Sequence, residues 1–231
     1  MIKENLKIIH DKIDNLKNKL GIEYNIDLLA VSKTRTKKEI LEAIEAGQIE
    51  FGENRINEAY EKFNSELLRN KNFNLHIIGH LQRNKAEHAV EISSMIQSID
   101  KLKTLDVLEK ICKEKSKNID YLIEINTSNE PQKFGVIADD YYHFLENLLN
   151  KSYNHCNLRG LMTVGPLTDN KNQIRKSFIL LYDFYSKTKD QINKKDFNVI
   201  SMGMSSDFEI AIEEGSNMLR IGTLIFGNRI Y

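Results

Sequence analysis

The chain has 231 residues, of which 41% are apolar and 29% are charged, a composition typical of a globular protein with a sizeable core. Its 33 basic and 33 acidic residues cancel, so charge gives no indication of a nucleic acid or an anionic membrane as a partner. The sequence has no apolar run of membrane-spanning length and no signal peptide, and its two cysteines form no CxxC pair, which favours a cytoplasmic location without a disulfide framework.

An amphipathic helix over residues 2–20 is the first predicted element. Its apolar residues recur at spacings of four and three, and Gly21 follows as a stop. The apolar positions are Ile2, Leu6, Ile9, Ile13, Leu16 and Leu20. Because this stripe covers fewer than three heptads, we expect a helix packed on the main body rather than a coiled-coil seam.

Short apolar runs alternate with amphipathic segments along the rest of the chain. The runs predicted to be strands are 27–32, 49–52, 75–79, 95–99, 119–125, 158–162, 197–201 and 218–222. The segments predicted to be helices are 37–47, 56–68, 101–115, 139–150, 174–192 and 205–215. Strands that alternate with helices imply parallel pairing, because each connection is long enough to hold a helix. Eight such units indicate an α/β protein with a (β/α)8 TIM barrel, with an open doubly wound sheet as the alternative. No Gly/Ser-rich linker divides the chain, so we predict a single domain over 1–231.

Lys33 follows the first predicted strand directly, in LLAVSKTRT (28–36). Active sites of such barrels lie at the C-terminal ends of the strands. Lys33 is therefore either a solvated residue that ends a strand or an amine held for chemistry.

The ends of the last two predicted strands form a candidate phosphate site, because barrels often bind phosphate in the loops after strands seven and eight. Ser205 and Ser206 open the predicted seventh helix, and Ser206 has capping-box spacing to Glu209. Gly222 and Thr223 follow the last strand and offer close backbone approach and a hydroxyl donor. An ordinary N-cap and an ordinary turn are the alternative interpretations.

Arg220 interrupts the last apolar strand, where an unpaired arginine would be costly to bury. It is either an outward residue with a surface partner or a fixed cation beneath a bound ring or anion. Together with Lys33 and a phosphate site, it matches the needs of pyridoxal 5′-phosphate, which takes a Schiff-base lysine and a group facing the ring nitrogen. Sugar-phosphate aldolases are barrels that can also use such a lysine.

Six motifs in order resemble the pyridoxal phosphate homeostasis proteins, single-domain barrels related to the N-terminal domain of alanine racemase. They are LLAVSKTRT (28–36), FGENRINEA (51–59), HIIGHLQRNK (76–85), GLMTVGP (160–166), SMGMSSDFEIAIEEGS (201–216) and RIGTLIFGNR (220–229). The resemblance covers essentially the whole chain.

The resemblance implies a role for each of six cofactor-binding residues. Lys33 carries pyridoxal phosphate as a Schiff base, Arg220 faces the pyridine nitrogen, and Asn54 lies near the ring. The phosphate is held by Ser205, Gly222 and Thr223.

Three further residues carry weaker indications. Lys133 falls where the family often has a second lysine, with a solvated loop lysine as the alternative. His76 and His80 have the i, i+4 spacing that chelates metal on a helix, but on a strand it separates them by about 13 Å. We therefore expect no metal site, and His80 remains a candidate for the ligand mouth.

The function expected from these features is to hold pyridoxal phosphate for vitamin B6 homeostasis without turnover, as a cytoplasmic monomer. Arg220 disfavours a proton on the ring nitrogen and so weakens the cofactor as an electron sink. Only nine residues follow the eighth strand, so we expect no second domain of the kind that supplies a base in alanine racemase. Apoenzymes that use pyridoxal phosphate are possible recipients. The alternatives are an amino-acid racemase or lyase, and a structural, non-enzymatic barrel that binds no ligand at its strand ends.

Overall fold

The computed structural model describes residues 1–228. Arg229, the last residue of the motif at 220–229, and the last two residues of the predicted domain 1–231 lie outside the described residues. The first element is the predicted N-terminal helix, α1, over Ile2–Leu20. It ends at Gly21, whose φ of 66° is left-handed, and its apolar stripe is buried in the main core, as expected for a helix packed on the body.

The strands form a closed parallel barrel, which confirms the predicted (β/α)8 fold. Their bounds are β1 Asp27–Val31, β2 Glu50–Glu53, β3 Asn74–Ile77, β4 Met95–Ile99, β5 Ile119–Asn126, β6 Val136–Ile137, β7 Cys156–Met162, β8 Val199–Ser201 and β9 Met218–Ile221. Parallel pairing runs from β4 through β3, β2, β1, β9, β8 and β7 to β5, and pairing of β4 with β5 closes the ring. The two-residue β6 lies outside the ring beside β5.

Helices cover the outside of this ring. Their bounds are α2 Lys37–Glu45, α3 Ile56–Phe63, α4 Ala86–Ile92, α5 Leu102–Glu114, α6 Tyr141–Leu149, α7 Lys171–Ile192, α8 Phe208–Glu213 and α9 Thr223–Phe226. Helix α3 ends five residues before the predicted limit of 68. Helix α4 was not predicted, because its buried face consists of two alanines and one valine and gives little apolar periodicity.

Strand alternation places two kinds of residue on the two faces of the barrel. On β9, Leu219 and Ile221 belong to the main apolar core between strands and helices. Arg220, between them, lines the barrel cavity. Arg220 therefore points into the barrel and not outward toward a surface partner; its contact with a bound ring or anion stays a prediction.

Candidate functional site

A cavity of about 1310 Å³ opens at the carboxyl ends of the strands, where barrels carry their sites. All six predicted cofactor-binding residues line it: Lys33, Asn54, Ser205, Arg220, Gly222 and Thr223. The structure thus brings together residues that lie up to 190 positions apart in the chain. Whether each contacts a cofactor stays a prediction.

Lys33 lies in a tight turn directly after β1, and both of its neighbours in the chain are held. On one side, the Ser32 carbonyl accepts a hydrogen bond from Lys62 Nζ at 2.9 Å. On the other, Thr34 has a φ of 65°, which is uncommon for a residue with a side chain, and its N–H donates to Glu58 Oε1 at 2.7 Å. Lys33 is therefore carried on a constrained backbone rather than on a mobile loop.

An ion network that is buried except for the partly exposed Glu58, here called the β1 clamp, holds this turn. It consists of Ser32, Glu53, Glu58 and Lys62. Lys62 Nζ lies 3.0 Å from Glu53 Oε1 and 2.5 Å from Glu58 Oε1, and Ser32 Oγ donates to Glu53 Oε1 at 2.8 Å. The three ammonium protons of Lys62 thus reach three acceptors, two of them on residues that flank or hold Lys33.

Glu53 is the most buried charge of the β1 clamp, with an exposed fraction of 0%. Burial raises the pKa of its carboxyl, against the opposing effect of Lys62. Its Oε2 atom is buried without a hydrogen-bond partner in the described chain. The cost of burying the Glu53 charge is therefore offset mainly by Lys62, with a smaller contribution from the Ser32 hydroxyl.

Arg220 is held in the cavity wall by two hydrogen bonds. Nη1 donates to Ser201 Oγ at 2.6 Å, and Nη2 donates to the Thr163 carbonyl at 2.7 Å. Burial lowers the pKa of its guanidinium to about 10, and Glu124 and Asp207 oppose that shift. Arg220 therefore stays a cation at neutral pH and presents a fixed positive charge to the cavity.

Glu124, at the end of β5, is a second buried titratable group of the cavity. Burial raises the pKa of its carboxyl to about 7, Asp100 adds to the rise, and Arg220 opposes it. The cavity thus holds, together with the Arg220 cation, a carboxyl that titrates near neutral pH.

The predicted phosphate residues lie on two neighbouring strand ends. Ser205 follows β8, and Gly222 and Thr223 follow β9. Ser205 Oγ accepts the Leu224 N–H at 3.4 Å, which joins the two loops. A Cβ at Gly222 would lie 3.3 Å from the Val31 carbonyl, so a glycine suits the close approach of these strand ends.

The predicted helix start at Ser205 and Ser206 is wrong. Residues 205–207 form a turn, and α8 begins at Phe208 after Asp207. The reason is the Asp207 carboxylate, which accepts the Met204 N–H at 2.5 Å and so closes the turn before the helix. The predicted capping box with Glu209 does not form, and the helix that begins beside the site is α9.

Asn54 follows β2 and lines the cavity beside the β3 end. The backbone of Gly79 approaches it so closely that a Cβ there would lie 2.4 Å from the Asn54 carbonyl oxygen. The glycine in the motif HIIGHLQ therefore has a packing reason.

Lys133 is not a solvated loop lysine. Its Nζ donates to Glu130 Oε1 at 2.6 Å, to the Gly165 carbonyl at 2.7 Å and to Ser128 Oγ at 3.2 Å. It lines the same cavity as Lys33. The structure thus places a second amine at the mouth, tied to the loops after β5 and β7.

The two histidines lie at different levels of the barrel, as their strand spacing predicts. His76 is buried inside β3, whereas His80 lines the cavity and stacks on Phe134 with ring centroids 4.1 Å apart. Residues 1–228 contain no group of three or more His, Cys, Asp or Glu side chains that could hold a metal ion.

Sequence reasoning missed the residues that hold the site residues in place. In the sequence, Lys62 is one of many charged residues of an amphipathic helix, and Glu124 is one polar residue within an apolar strand. Their positions within the apolar patterns could have indicated them. Glu124 lies in a strand whose other residues are almost all buried, and Lys62 lies on the buried side of α3.

Comparison with known families matches residues 5–229 to the family described as alanine racemase, N-terminal domain. The barrel, with a lysine after its first strand, is therefore of the class that alanine racemase uses as its N-terminal domain. Within this class, the chain is 35% identical to the pyridoxal phosphate homeostasis protein of Haemophilus influenzae over 231 residues, 100% of this chain and 97% of that protein. It is 32% identical to the Homo sapiens protein of the same name over 212 residues, 88% of this chain and 77% of that protein.

The chain belongs to the family of pyridoxal phosphate homeostasis proteins. Among solved structures, PipY of Synechococcus elongatus without PLP has a TM-score of 0.87 at 31% identity and covers 98% of this chain and 100% of its own. The PLP-bound form of PipY has a TM-score of 0.84 at 30% identity, with coverage of 98% and 100%. An alanine racemase of Clostridium difficile, at 17% identity and a TM-score of 0.73, shows the shared fold and covers 99% of this chain and 58% of its own.

Among the helices in residues 1–228, none has both the length and the apolar character needed to cross a membrane.

Proposed function

We propose that this protein holds pyridoxal 5′-phosphate as a Schiff base on Lys33 and serves the intracellular homeostasis of that cofactor without turnover of its own. The observation that carries the proposal is that one cavity is lined by Lys33, Arg220, Ser205, Gly222 and Thr223 together. The names of the curated relatives and the PLP-bound form of PipY support the identity of the ligand.

The residues of this cavity fit the chemical groups of pyridoxal phosphate. The aldehyde needs an amine, which Lys33 supplies, and one water leaves when the C=N bond forms. The phosphate needs hydrogen-bond donors, which the Ser205 and Thr223 hydroxyls and the backbone at Gly222 offer. The ring nitrogen needs a donor, and the Arg220 guanidinium has five N–H groups, two of which it uses on Ser201 and Thr163.

The charge of Arg220 supports holding rather than turnover. Bound pyridoxal phosphate supplies an electron-withdrawing ring that stabilises a carbanion most strongly when its nitrogen is protonated. A buried guanidinium opposite that nitrogen disfavours the additional proton, because like charges repel. Arg220 therefore keeps the ring in its less reactive state.

Release follows from the same chemistry. Addition of water to the C=N bond returns the Lys33 amine and the free aldehyde, so binding is reversible. We propose that apoenzymes that require pyridoxal phosphate are the recipients, and that the protein acts as a cytoplasmic monomer. Measuring vitamin B6 vitamers and amino-acid pools in cells with and without the protein tests this role.

The direct test of binding is chemical labelling. Protein incubated with pyridoxal phosphate should become yellow, and borohydride should fix the cofactor on the peptide that contains Lys33. The matched variants are Lys33→Ala and Lys133→Ala. Lys33→Ala should lose the label, whereas Lys133→Ala removes a second lysine of the same cavity, one held by hydrogen bonds to neighbouring loops, and should keep the label on Lys33. A colourless, unlabelled wild-type protein refutes the binding proposal.

The absence of turnover is tested separately. Purified protein loaded with pyridoxal phosphate is incubated with single L-amino acids, and the D-enantiomer is followed with time. We expect none to accumulate. Steady racemisation that disappears in Lys33→Ala would replace the holding role with a racemase, while leaving the ligand and its lysine as proposed.

A further inference from the structure

A chain of five polar side chains, four of them buried, crosses the barrel interior from Arg220 to the partly exposed Glu50 at the opposite end. Arg220 Nη1 lies 2.6 Å from Ser201 Oγ, which lies 2.7 Å from Gln97 Oε1. Gln97 Nε2 lies 2.8 Å from His76 Nδ1, and His76 Nε2 lies 3.0 Å from Glu50 Oε2. Its five members come from β9, β8, β4, β3 and β2, so the chain connects the cavity with the amino-terminal ends of the strands.

The chemistry of its two ends gives this chain one direction. An arginine can only donate, and an ionised carboxylate can only accept. The Ser201 hydroxyl therefore accepts from Arg220 and donates to Gln97 Oε1, and the Gln97 amide donates to His76 Nδ1. His76 must then carry its proton on Nε2, which donates to Glu50.

Two independent contacts support this direction. Gln97 Nε2 also lies 3.0 Å from the Met218 sulfur, and a thioether accepts hydrogen bonds but cannot donate them. At the far end, Asn74 Nδ2 donates to Glu50 Oε1 at 2.7 Å. Burial would raise the pKa of Glu50, but the hydrogen bonds from His76 and Asn74 outweigh it and lower the pKa, so this end is a carboxylate.

We propose that Gln97, His76 and Glu50 are positioning residues that orient Arg220 toward the ring of pyridoxal phosphate. The proposal rests on the proposed function, because the ring is the group that Arg220 faces. Ser201 fixes Nη1 from one side and the Thr163 carbonyl fixes Nη2 from another, so the plane of the guanidinium is set before a ligand arrives. The chain fixes the Ser201 hydroxyl in its turn, since its proton is committed to Gln97.

The first experiment measures the direction of the chain in protein without cofactor. The ¹⁵N shifts of the two ring nitrogens of His76 should report a neutral ring with the proton on Nε2. In Gln97→Glu the new carboxylate can only accept, so His76 should gain a proton on Nδ1 and become an imidazolium. The control is Asp120→Asn, which removes a carboxylate in the small cavity at the same end of the barrel but outside the chain, and should leave His76 unchanged.

The second experiment measures the consequence for the ligand. Gln97→Met keeps the length of the side chain and removes its hydrogen bonds to Ser201, His76 and Met218. Ser201→Ala breaks the chain one link closer to Arg220 and serves as the second variant should Gln97→Met fail to fold. In both, borohydride should still fix the cofactor on Lys33, but the visible absorption band should shift and release of pyridoxal phosphate should accelerate on the order of tenfold, whereas Asp120→Asn should match the wild type.

The outcomes separate this proposal from the proposed function. A wild-type His76 with its proton on Nδ1 overturns the proposal. So do folded Gln97→Met and Ser201→Ala proteins with the wild-type absorption band and release rate. If instead the wild type takes up no label on Lys33, the proposed function fails, and the ring-orienting role fails with it, whatever the ¹⁵N shifts show. Shifted bands and faster release, with the label retained and the Asp120→Asn control unchanged, support both.

Discussion

Replacing Lys62 by methionine tests the β1 clamp most directly. The substitution keeps an unbranched side chain of similar length and removes the ammonium that lies within 3.0 Å of Ser32 O, Glu53 Oε1 and Glu58 Oε1. Removing one partner of a buried ion pair costs about 3–5 kcal/mol. We expect about 3 kcal/mol, because Ser32 Oγ still donates to Glu53 and Glu53 can accept a proton. For a chain of this size that loss lowers the thermal midpoint by about 6–12 °C.

The pH dependence of this loss gives the test its specificity. Burial raises the pKa of Glu53, and Lys62 opposes that rise, so removing Lys62 lifts the pKa of Glu53 further. A carboxyl with a raised pKa in the folded state favours folding below its unfolded pKa of about 4.3, and that contribution is lost as pH rises through the folded value. The destabilisation in Lys62→Met should therefore be smaller at pH 5 than at pH 8.

The assay is urea denaturation of wild type and Lys62→Met at pH 5 and pH 8. The control is Lys151→Met, which removes the cation of an exposed pair with Asp106 and should cost about 0–1 kcal/mol at both pH values. A cost for Lys62→Met below about 1 kcal/mol at pH 8, or an equal cost at both pH values, would show that the β1 clamp does not hold a buried charge in the way described.

Three further predictions concern other parts of the barrel. Burial raises the pKa of the Glu124 carboxyl to about 7, so wild type loses stability as pH rises through 7. In urea denaturation, the stability of Glu124→Gln relative to wild type should therefore increase by about 2–3 kcal/mol between pH 5 and pH 8. A difference between the two proteins that does not change with pH contradicts this prediction. Gly79→Ala places a Cβ 2.4 Å from the Asn54 carbonyl and should lower the free energy of unfolding by about 2 kcal/mol; an unchanged value refutes the close approach. Ile9→Ala should cost about 2–5 kcal/mol, whereas Ile8→Ala, at an exposed position of the same helix, should stay within about 0.5 kcal/mol; equal costs would place the wrong face of α1 on the barrel.

The barrel was predictable because its strands are short apolar runs with a helix after most of them. Each predicted run overlaps one strand of the ring, and the long crossovers leave parallel pairing as the simplest solution. What periodicity could not show is structure that rests on a few small or polar residues. Helix α4 buries alanines, β6 has two residues, and the start of α8 depends on the Asp207 side chain closing a turn.

The sequence likewise indicates the residues that line the candidate site but not the residues that hold them in place. Residues with distinctive chemistry directly after a strand, such as Lys33 and Arg220 with its apolar neighbours, are visible in the sequence. Their partners are not, because contact depends on which faces of α3, β3 and β4 meet in three dimensions. Lys62 lies 29 positions after Lys33, and Gln97 lies 123 positions before Arg220, in stretches with no unusual composition.

Two parts of the cavity wall are supported by polar groups in places where a barrel usually packs apolar side chains. The β1 clamp holds the Lys33 turn, and the chain from Glu50 to Arg220 holds the Arg220 cation on the neighbouring strand β9. Buried ion pairs and polar chains add little to stability, since apolar replacements of the same volume are often as stable or more so. Their physical contribution is a fixed geometry, which lowers the entropy lost when a ligand binds. A barrel that must take up and release one small cofactor gains from such a site, because the lysine and the cation are already in place before the cofactor arrives.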